Sequence, residues 1–95
     1  MYYWVAYDIS SHRTRRLAAK GCKQAGLLRL QRSVFAGNAS AEHLRELEDG
    51  LRDVLAPQDR LSILPIDKTA WQQMRLLGDQ PDKVTLSRHK RVWHF

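Results

Sequence analysis

Asp8 is the carboxylate best placed for chemistry in this sequence, because it stands alone in its part of the chain. No other Asp or Glu precedes Glu42, and Asp8 lies near the end of an otherwise aromatic, β-branched or alanine run, Tyr2 to Ile9. Such a run predicts a buried central strand with a carboxylate at its C-terminal end. The carboxylate can cap the following helix or pair with Arg13. It can also bind a hard divalent cation such as Mg²⁺.

One carboxylate per chain makes an incomplete metal site. Two copies of the chain meeting across a dimer axis would bring two Asp8 side chains together, and water would complete the coordination. A metal held there could activate water and neutralise the charge of a phosphodiester during hydrolysis. On this interpretation Asp8 is a catalytic residue and metal ligand with Mg²⁺ as the cofactor, whereas on the other it is a structural helix cap or the partner of Arg13, and the residues alone leave both open.

A row of positive side chains begins shortly after Asp8. Its members, called the cationic row below, are Arg13, Arg15, Arg16, Lys20 and Lys23. A helix macrodipole opposes positive charges in its first turn by about 0.3 to 1 kcal/mol each, so a bound anion would relieve an unfavourable arrangement. Backbone N–H groups at the same helix end would add to a phosphate site. The row predicts phosphate binding, and a solvated helix face is the alternative.

The other reactive residue types form no recognisable site. The four histidines, His12, His43, His89 and His94, show no pair at helical spacing with a neighbouring acid ligand. This arrangement disfavours a structural metal. The single cysteine, Cys22, excludes an internal disulfide and is expected to pack in the core.

The C-terminal residues 87–95 are basic and then aromatic. Trp93 could stack on a nucleic-acid base. Packing on a dimer partner or strand addition to a partner is the favoured interpretation, because a terminal strand with exposed apolar residues needs a surface to cover it.

The composition indicates a small globular protein with an anionic partner. At 95 residues, with 43% hydrophobic and 27% charged residues, the chain is expected to form one domain. Its net charge of +6 and its pI near 10.0 favour an anionic partner, of which nucleic acid is one candidate. Residues 1–39 and 60–95 are basic, whereas residues 40–59 are acidic. Without a membrane-spanning apolar run or a secretory signal, we expect a cytoplasmic protein with no membrane partner.

The first half of the chain predicts a strand, a helix and two further strands. Ser10 or Ser11 caps a helix that continues to Ala25, before a glycine stop. Residues 27–36 are extended, with a break near Arg32. The apolar stripe of the helix is predicted to comprise Leu17, Ala18, Gly21, Cys22 and Ala25.

The second half predicts a turn, a helix and a strand. The turn is formed by Gly37 and Asn38, and the helix begins after Ser40 and ends at Pro57. The strand covers residues 61–66, and its Pro65 suggests an edge position or the exit of the strand.

The element order is the split βαβ pattern of an α+β, ferredoxin-like βαββαβ domain. Residues 72–77 are predicted to add a short strand closed by a glycine. We expect residues 1–78 to form the ferredoxin-like core and residues 79–95 a basic and aromatic extension of the same domain. An extra C-terminal strand or tail would pack on the dimer partner.

Two stretches of the sequence resemble the small CRISPR-associated adaptation protein family. The first is Tyr7, Asp8 and Ile9 followed by an Arg-rich helix, and the second is the run from Gly26 to Phe35. The resemblance covers about residues 2–66. It implies a ferredoxin-like homodimer that joins two dimers of the CRISPR integrase and carries double-stranded spacer DNA into the repeat array. It also implies metal-dependent endonuclease activity on RNA or DNA, with single-stranded RNA as a further candidate partner.

The resemblance also assigns site residues. Asp8 matches the family's acidic metal ligand, and Arg16, Arg32, Ser33 and Phe35 match positions around the same cleft and groove. Together with Arg13, Arg15 and Lys20 of the cationic row, Arg16 and Arg32 are the predicted nucleic-acid-binding residues.

Two departures from the family pattern leave alternatives open. Ala36 stands where the family often has Glu, and the C-terminal tail is more basic than is usual in the family. The alternatives are a DNA-binding adaptor without catalysis and a toxin-like ribonuclease of similar fold. An adjacent integrase gene and repeat array would favour adaptation, whereas an adjacent antitoxin gene would favour the ribonuclease.

Overall fold

The computed structural model describes residues 1–88, which form four strands and four helices. The strands are β1 (Tyr2–Asp8), β2 (Leu28–Gln31), β3 (Val34–Asn38) and β4 (Arg60–Ile66). The helices are α1 (His12–Gln24), α2 (Ala41–Arg52), α3 (Lys68–Gln73) and α4 (Lys83–Arg88). The predictions made for Trp93 and the rest of residues 89–95 lie outside the described residues.

The strands form one antiparallel sheet in the order β2-β3-β1-β4. Strand β1 is central because it pairs with β3 on one side and, along its whole length, with β4 on the other. This order and the two helix crossings confirm the predicted ferredoxin-like fold. Pro65 lies on β4, which is an edge strand, and a proline is tolerated there because it cannot donate to a ladder.

The inner face of the sheet carries Tyr3, Val5 and Tyr7 of β1 and packs against α1 and α2. Helix α1 buries Thr14, Ala18, Ala19 and Cys22. Helix α2 buries Leu44, Leu47 and Leu51. The two helices approach closely, since a Cβ at Gly21 would lie 2.6 Å from Cδ1 of Leu47.

The outer face of the sheet carries Tyr2, Trp4 and Ala6 of β1 and packs against α3 and α4. Trp71 of α3 is buried and stacks on Tyr2, with ring centroids 4.4 Å apart. Its indole N–H donates to the Ser87 hydroxyl at 3.0 Å, which connects the two short helices. Part of the predicted extension, α4, therefore packs on the sheet.

The structure corrects the turn predicted at Gly37 and Asn38. Both residues belong to β3, where they pair with Tyr3 and Tyr2 of β1. Gly37 has a φ of +151°, and a Cβ there would lie 3.5 Å from the carbonyl oxygens of Gly26 and Leu86. Separations of 3.5 Å are ordinary van der Waals contacts, so it is the positive φ, which residues with a Cβ rarely adopt, that requires glycine here, and not a turn.

Two other predicted boundaries are wrong. Helix α2 ends at Arg52 rather than at Pro57, because Val54 N–H and Leu55 N–H both donate to the Leu51 carbonyl and the following residues turn. Residues 72–77 form no strand. Helix α3, which is capped by Asp67, continues to Gln73 instead. The apolar side chains of Met74 and Leu76 then pack against the outer-face cluster.

The apolar stripe of α1 also differs from its prediction at Leu17, which is 45% exposed. No helix within residues 1–88 is both long and apolar enough to cross a membrane.

Candidate metal and nucleic-acid site

Asp8 is the last residue of β1, and its side chain is exposed. Side chains alternate along a strand, so Asp8 points to the outer face, as Tyr2, Trp4 and Ala6 do. On β4 its Cα partner is Arg60. The carboxylate is thus presented at the end of a strand that is held by neighbours on both sides.

The structural roles considered for Asp8 are not observed. Helix α1 is capped by Ser11, whose Oγ accepts from the Thr14 N–H at 3.3 Å. Within residues 1–88 the Asp8 carboxylate makes no hydrogen bond and no ion pair, with Arg13 or with any other residue. Its charge is available for a ligand.

The loop that follows Asp8 is held by Asp59, a residue that was not predicted to belong to the site. The Asp59 carboxylate accepts from Ser10 N–H and Ser10 O–H, each at 3.0 Å, and from Ala56 N–H at 2.9 Å. These donors lower the pKa of the Asp59 carboxyl, the Ser10 N–H having the largest effect and the Ala56 N–H the next. Asp59 therefore ties the β1–α1 loop to the segment before β4.

Arg15 braces the same loop from α1. Its guanidinium donates to the carbonyl oxygens of Ile9 and Ser10, both at 3.2 Å, and lies 3.4 Å from His12 Nδ1. Arg15 was predicted to bind nucleic acid, but the structure places its donors on the protein backbone. The His12 ring lies beside this guanidinium.

Three members of the cationic row surround a shallow depression on the exposed side of α1. Arg13, Arg16 and Lys20 line it together with Leu17, and its volume is about 320 Å³. Within the described residues none of the three cations makes a hydrogen bond or an ion pair. Lys23, the last member of the row, is exposed in the final turn of α1. The three cations are thus free to bind an anion.

Arg32 and Ser33 form the turn between β2 and β3, at the same end of the sheet as Asp8. The Ser33 carbonyl accepts from the N–H of Tyr7, the neighbour of Asp8, at 3.1 Å. Arg32 is exposed. The two residues that the family resemblance assigned to the surroundings of Asp8 therefore lie near it in the fold.

Phe35 is placed differently from that expectation. It is 0% exposed in the inner core, and its ring stacks on Tyr7 with centroids 6.3 Å apart. The Arg29 guanidinium covers the ring at 5.0 Å from its centroid. Phe35 therefore supports the strand that carries Asp8 from beneath and presents no surface to a ligand.

Ala36 and Cys22 are both buried and contribute no reactive group. Ala36 is 0% exposed on the outer face, in a cluster with Leu30, Trp71 and Leu86, so a carboxylate at this position would meet apolar neighbours. Burial raises the pKa of the Cys22 thiol to about 12, and Arg29 partly opposes that shift. The thiol is therefore protonated and unreactive at neutral pH.

The donor set fits a Mg²⁺ ion that is only partly coordinated by one chain. Within residues 1–88 no group of three or more His, Cys, Asp or Glu side chains could hold a metal. Mg²⁺ commonly binds through one or two carboxylates and keeps several waters or takes phosphate oxygens from a substrate. An exposed carboxylate such as Asp8, which has no partner in the part of the chain that the structure describes, meets this requirement for one ligand.

Two residues at this end of the sheet, Asp59 and Arg60, were missed by sequence reasoning. The Pro57-Gln58-Asp59 sequence is a turn signal, in which an Asp commonly accepts backbone N–H bonds. Arg60 begins β4, and only the register of β1 with β4 shows that it stands opposite Asp8. That register depends on the whole sheet and is not visible in a local pattern.

Together these features define a class of protein: a small, basic, ferredoxin-like domain whose central strand ends in a carboxylate with no partner among residues 1–88, and whose first helix exposes cations that also have none there. The family model described as "CRISPR associated protein Cas2" matches residues 1–74. The chain belongs to this family, which confirms the resemblance noted in the sequence.

Named relatives agree with this assignment. The chain is 37% identical to "CRISPR-associated endoribonuclease Cas2 2" of Chloroflexus aurantiacus over 79 residues, covering 82% of this chain and 93% of the relative. It is 33% identical to the protein of the same name from Pyrobaculum aerophilum over 82 residues, covering 85% and 90%. The crystal structure of Streptococcus pyogenes Cas2 at pH 6.5 has a similar fold, with a TM-score of 0.68, 23% identity and coverage of 82% and 100%.

Proposed function

We propose that this protein is a cytoplasmic, homodimeric subunit of CRISPR adaptation that binds double-stranded DNA, bridges the CRISPR integrase and hydrolyses phosphodiester bonds of RNA or DNA with Mg²⁺. The observation that carries the proposal is the exposed Asp8 carboxylate, which has no partner among the described residues. Family membership supports the role in adaptation. The names of the relatives, which call them endoribonucleases, support nuclease activity.

In this proposal the chain contributes a metal ligand and a surface for the substrate. Asp8 supplies an anionic oxygen ligand, and a second copy of the chain supplies the same group across the dimer axis. When bound, Mg²⁺ would lower the pKa of a coordinated water and neutralise charge on the phosphodiester. Arg13, Arg16 and Lys20 would hold backbone phosphates of the nucleic acid.

The surrounding contacts keep the carboxylate in place. Asp59 and Arg15 hold the loop that follows Asp8, and the β3 and β4 ladders hold the strand that precedes the loop. A ligand that is fixed before the substrate binds needs little reorganisation during the reaction. This fixed position suits a catalytic carboxylate.

Substitution of Asp8 tests the catalytic part of the proposal. The Asp8→Asn variant keeps the side-chain shape but removes the charge that binds the metal, so we expect Mg²⁺-dependent cleavage of labelled RNA and DNA to fall to background. The matched control is Asp79→Asn, which removes the same charge at an exposed position in the loop before α4. Circular dichroism should show the same fold in both variants. Cleavage by Asp8→Asn at the wild-type rate would refute the catalytic role.

A DNA-binding adaptor without catalysis is the second candidate function. It is favoured by a specific observation: Asp8 is a single carboxylate, and no larger metal-binding group exists within residues 1–88. For this function Asp8→Asn should leave spacer acquisition in cells unchanged.

Charge reversal tests the DNA-binding surface in both candidate functions. Arg13, Arg16 and Lys20 are each changed to Glu, whereas Arg15 is kept because it braces the loop. We expect weaker binding of duplex DNA and a salt dependence reduced by about 0.9 in log–log slope for each phosphate that the variant no longer neutralises. The control reverses three other exposed cations, Arg45, Lys68 and Arg75. Equal effects of the two triple variants would show that α1 is not the DNA surface.

A further inference from the structure

We propose that Arg60 binds a phosphate group of the nucleic-acid substrate beside Asp8. This inference rests on the proposed function, because it needs a phosphodiester at the Asp8 end of the sheet. It adds a residue of β4 to a surface that the sequence had placed on α1 and on the turn between β2 and β3.

The register of the sheet brings Arg60 and Asp8 together. They are Cα partners in the β1–β4 ladder, which continues without interruption to Tyr2 and Ile66 at its other end. Residues directly opposite each other in an antiparallel pair have Cβ atoms about 4.5 to 5.5 Å apart, on the same face. Both side chains are exposed. A group bound at Asp8 is therefore within reach of the Arg60 guanidinium.

Asp8 and Arg60 carry opposite charges on adjacent strands, but they do not form an ion pair with each other. No ion pair joins Arg60 to Asp8, and the Arg60 side chain makes no hydrogen bond within residues 1–88. In contrast, Arg52 of α2 pairs with Glu48 at 2.5 Å and with Asp49 at 3.5 Å. The donors of Arg60 thus remain available for an external acceptor.

The chemistry of the guanidinium suits a phosphodiester. Its planar donors can take two phosphate oxygens in a bidentate contact, and it remains charged at any physiological pH. Asp8 would bind the metal and Arg60 the phosphate, so the two neighbours would hold two different groups of the same complex. A guanidinium also disfavours a free metal cation at Asp8 through charge repulsion. Its removal should therefore weaken substrate binding and strengthen metal binding.

The position of Arg60 is fixed by its neighbours. The preceding residue, Asp59, is tied to Ser10 and Ala56 by its carboxylate. The residues that follow extend along β1, and Leu61 and Ile63 pack against the inner core. The backbone that carries the guanidinium is therefore anchored on both sides.

A protective role on the edge strand is the competing explanation. Charged side chains on exposed edge strands prevent pairing with other sheets, and β4 is an edge strand of this sheet. In that case Arg60→Gln would aggregate more than the wild type, Arg60→Lys would not, and neither variant would differ from the wild type in substrate binding.

The experiment compares Arg60→Gln and Arg60→Lys with Arg45→Gln, a control that removes an exposed positive charge from α2. Binding of a fluorescent single-stranded oligoribonucleotide is measured over a salt series without divalent metal, and Mn²⁺ affinity is measured by calorimetry without nucleic acid. For Arg60→Gln we expect RNA binding about tenfold weaker, a salt slope reduced by about one and tighter Mn²⁺ binding. Arg60→Lys should restore part of the RNA affinity. If Arg60→Gln behaves like the Arg45→Gln control, the inference is overturned.

The outcome for Arg60 can be separated from that of the proposed function. If the wild type binds RNA but does not cleave it, the catalytic proposal is refuted. The role of Arg60 is then still tested by the RNA affinity of the Arg60 variants. Cleavage that depends on Asp8 but not on Arg60, with unchanged RNA affinity, would overturn this inference alone. Failure of the wild type to bind RNA or DNA would overturn both.

Discussion

Substitution of Phe35 tests whether this ring belongs to the core or to a ligand-binding cleft. The ring is 0% exposed, lies 6.3 Å from the Tyr7 ring and is covered by the Arg29 guanidinium. Truncation of a core Phe to Ala costs about 3 to 5 kcal/mol, a large part of the about 5 to 15 kcal/mol that stabilises a domain. Phe35→Leu is the more useful change, because it keeps most of the apolar volume.

For Phe35→Leu we expect the free energy of unfolding to fall by about 0.5 to 3 kcal/mol. The missing aromatic pair accounts for about 0.5 to 1.5 kcal/mol, and imperfect repacking adds a further loss of less than about 1.5 kcal/mol. Urea denaturation followed by circular dichroism measures this change. The thermal midpoint should fall by about 4 to 8 °C for each kcal/mol.

RNA binding by the same variant, measured well below its unfolding midpoint, should equal that of the wild type. The reasoning would be refuted by the opposite pattern: an unchanged free energy of unfolding together with clearly weaker RNA binding. That result would mean that the ring is reached by the ligand, as the family resemblance implied.

Two further predictions concern the loop beside Asp8 and the helix pair. The fold lowers the pKa of the Asp59 carboxyl. The ionised carboxylate should therefore contribute its full stabilisation of the fold above the ordinary Asp pKa of about 3.9, and this contribution should be lost as the pH falls through the lowered pKa. The urea midpoints of wild type and Asp59→Asn should therefore differ at pH 7 and converge in acid; a gap that persists in acid would contradict this. Gly50→Ala should stabilise the protein by about 0.5 to 1 kcal/mol, since no atom of residues 1–88 lies within 4 Å of the added Cβ. Gly21→Ala should be less stable than Gly50→Ala, because its Cβ meets Leu47 at 2.6 Å; equal midpoints would refute the close approach.

The fold could be predicted because its signals are local. The helix cap at Ser11, the second cap at Ser40 and the positive φ of Gly26, at 97°, agree with the residue types at those positions. The signals failed where tertiary packing dominates. Gly37 is typical of a turn in sequence but provides a positive φ within the paired strand β3. Trp71 fills the outer face from a helix, although residues 72–77 suggested a strand.

The candidate site was predictable only in part, for the same physical reason. Asp8 could be identified because a lone carboxylate at the end of an apolar strand is conspicuous. The different roles of the residues in the cationic row could not be predicted. The periodicity of α1 does not reveal that the Arg15 side chain turns back and donates to the Ile9 and Ser10 carbonyls. Arg60 required the register of two strands that are far apart in sequence.

The charged residues of this region fall into two groups, according to whether their side chains bond to the protein backbone. This distinction is more informative about function than the net charge. Arg15 and Asp59 direct their hydrogen bonds to the backbone of the loop. Asp8 and Arg60 have no partner within residues 1–88, and neither do three members of the cationic row. Asp8 and Arg60 are therefore the charged groups at this end of the sheet whose polar atoms remain open to a ligand, whereas changes at Arg15 and Asp59 should alter the loop first and binding only through it.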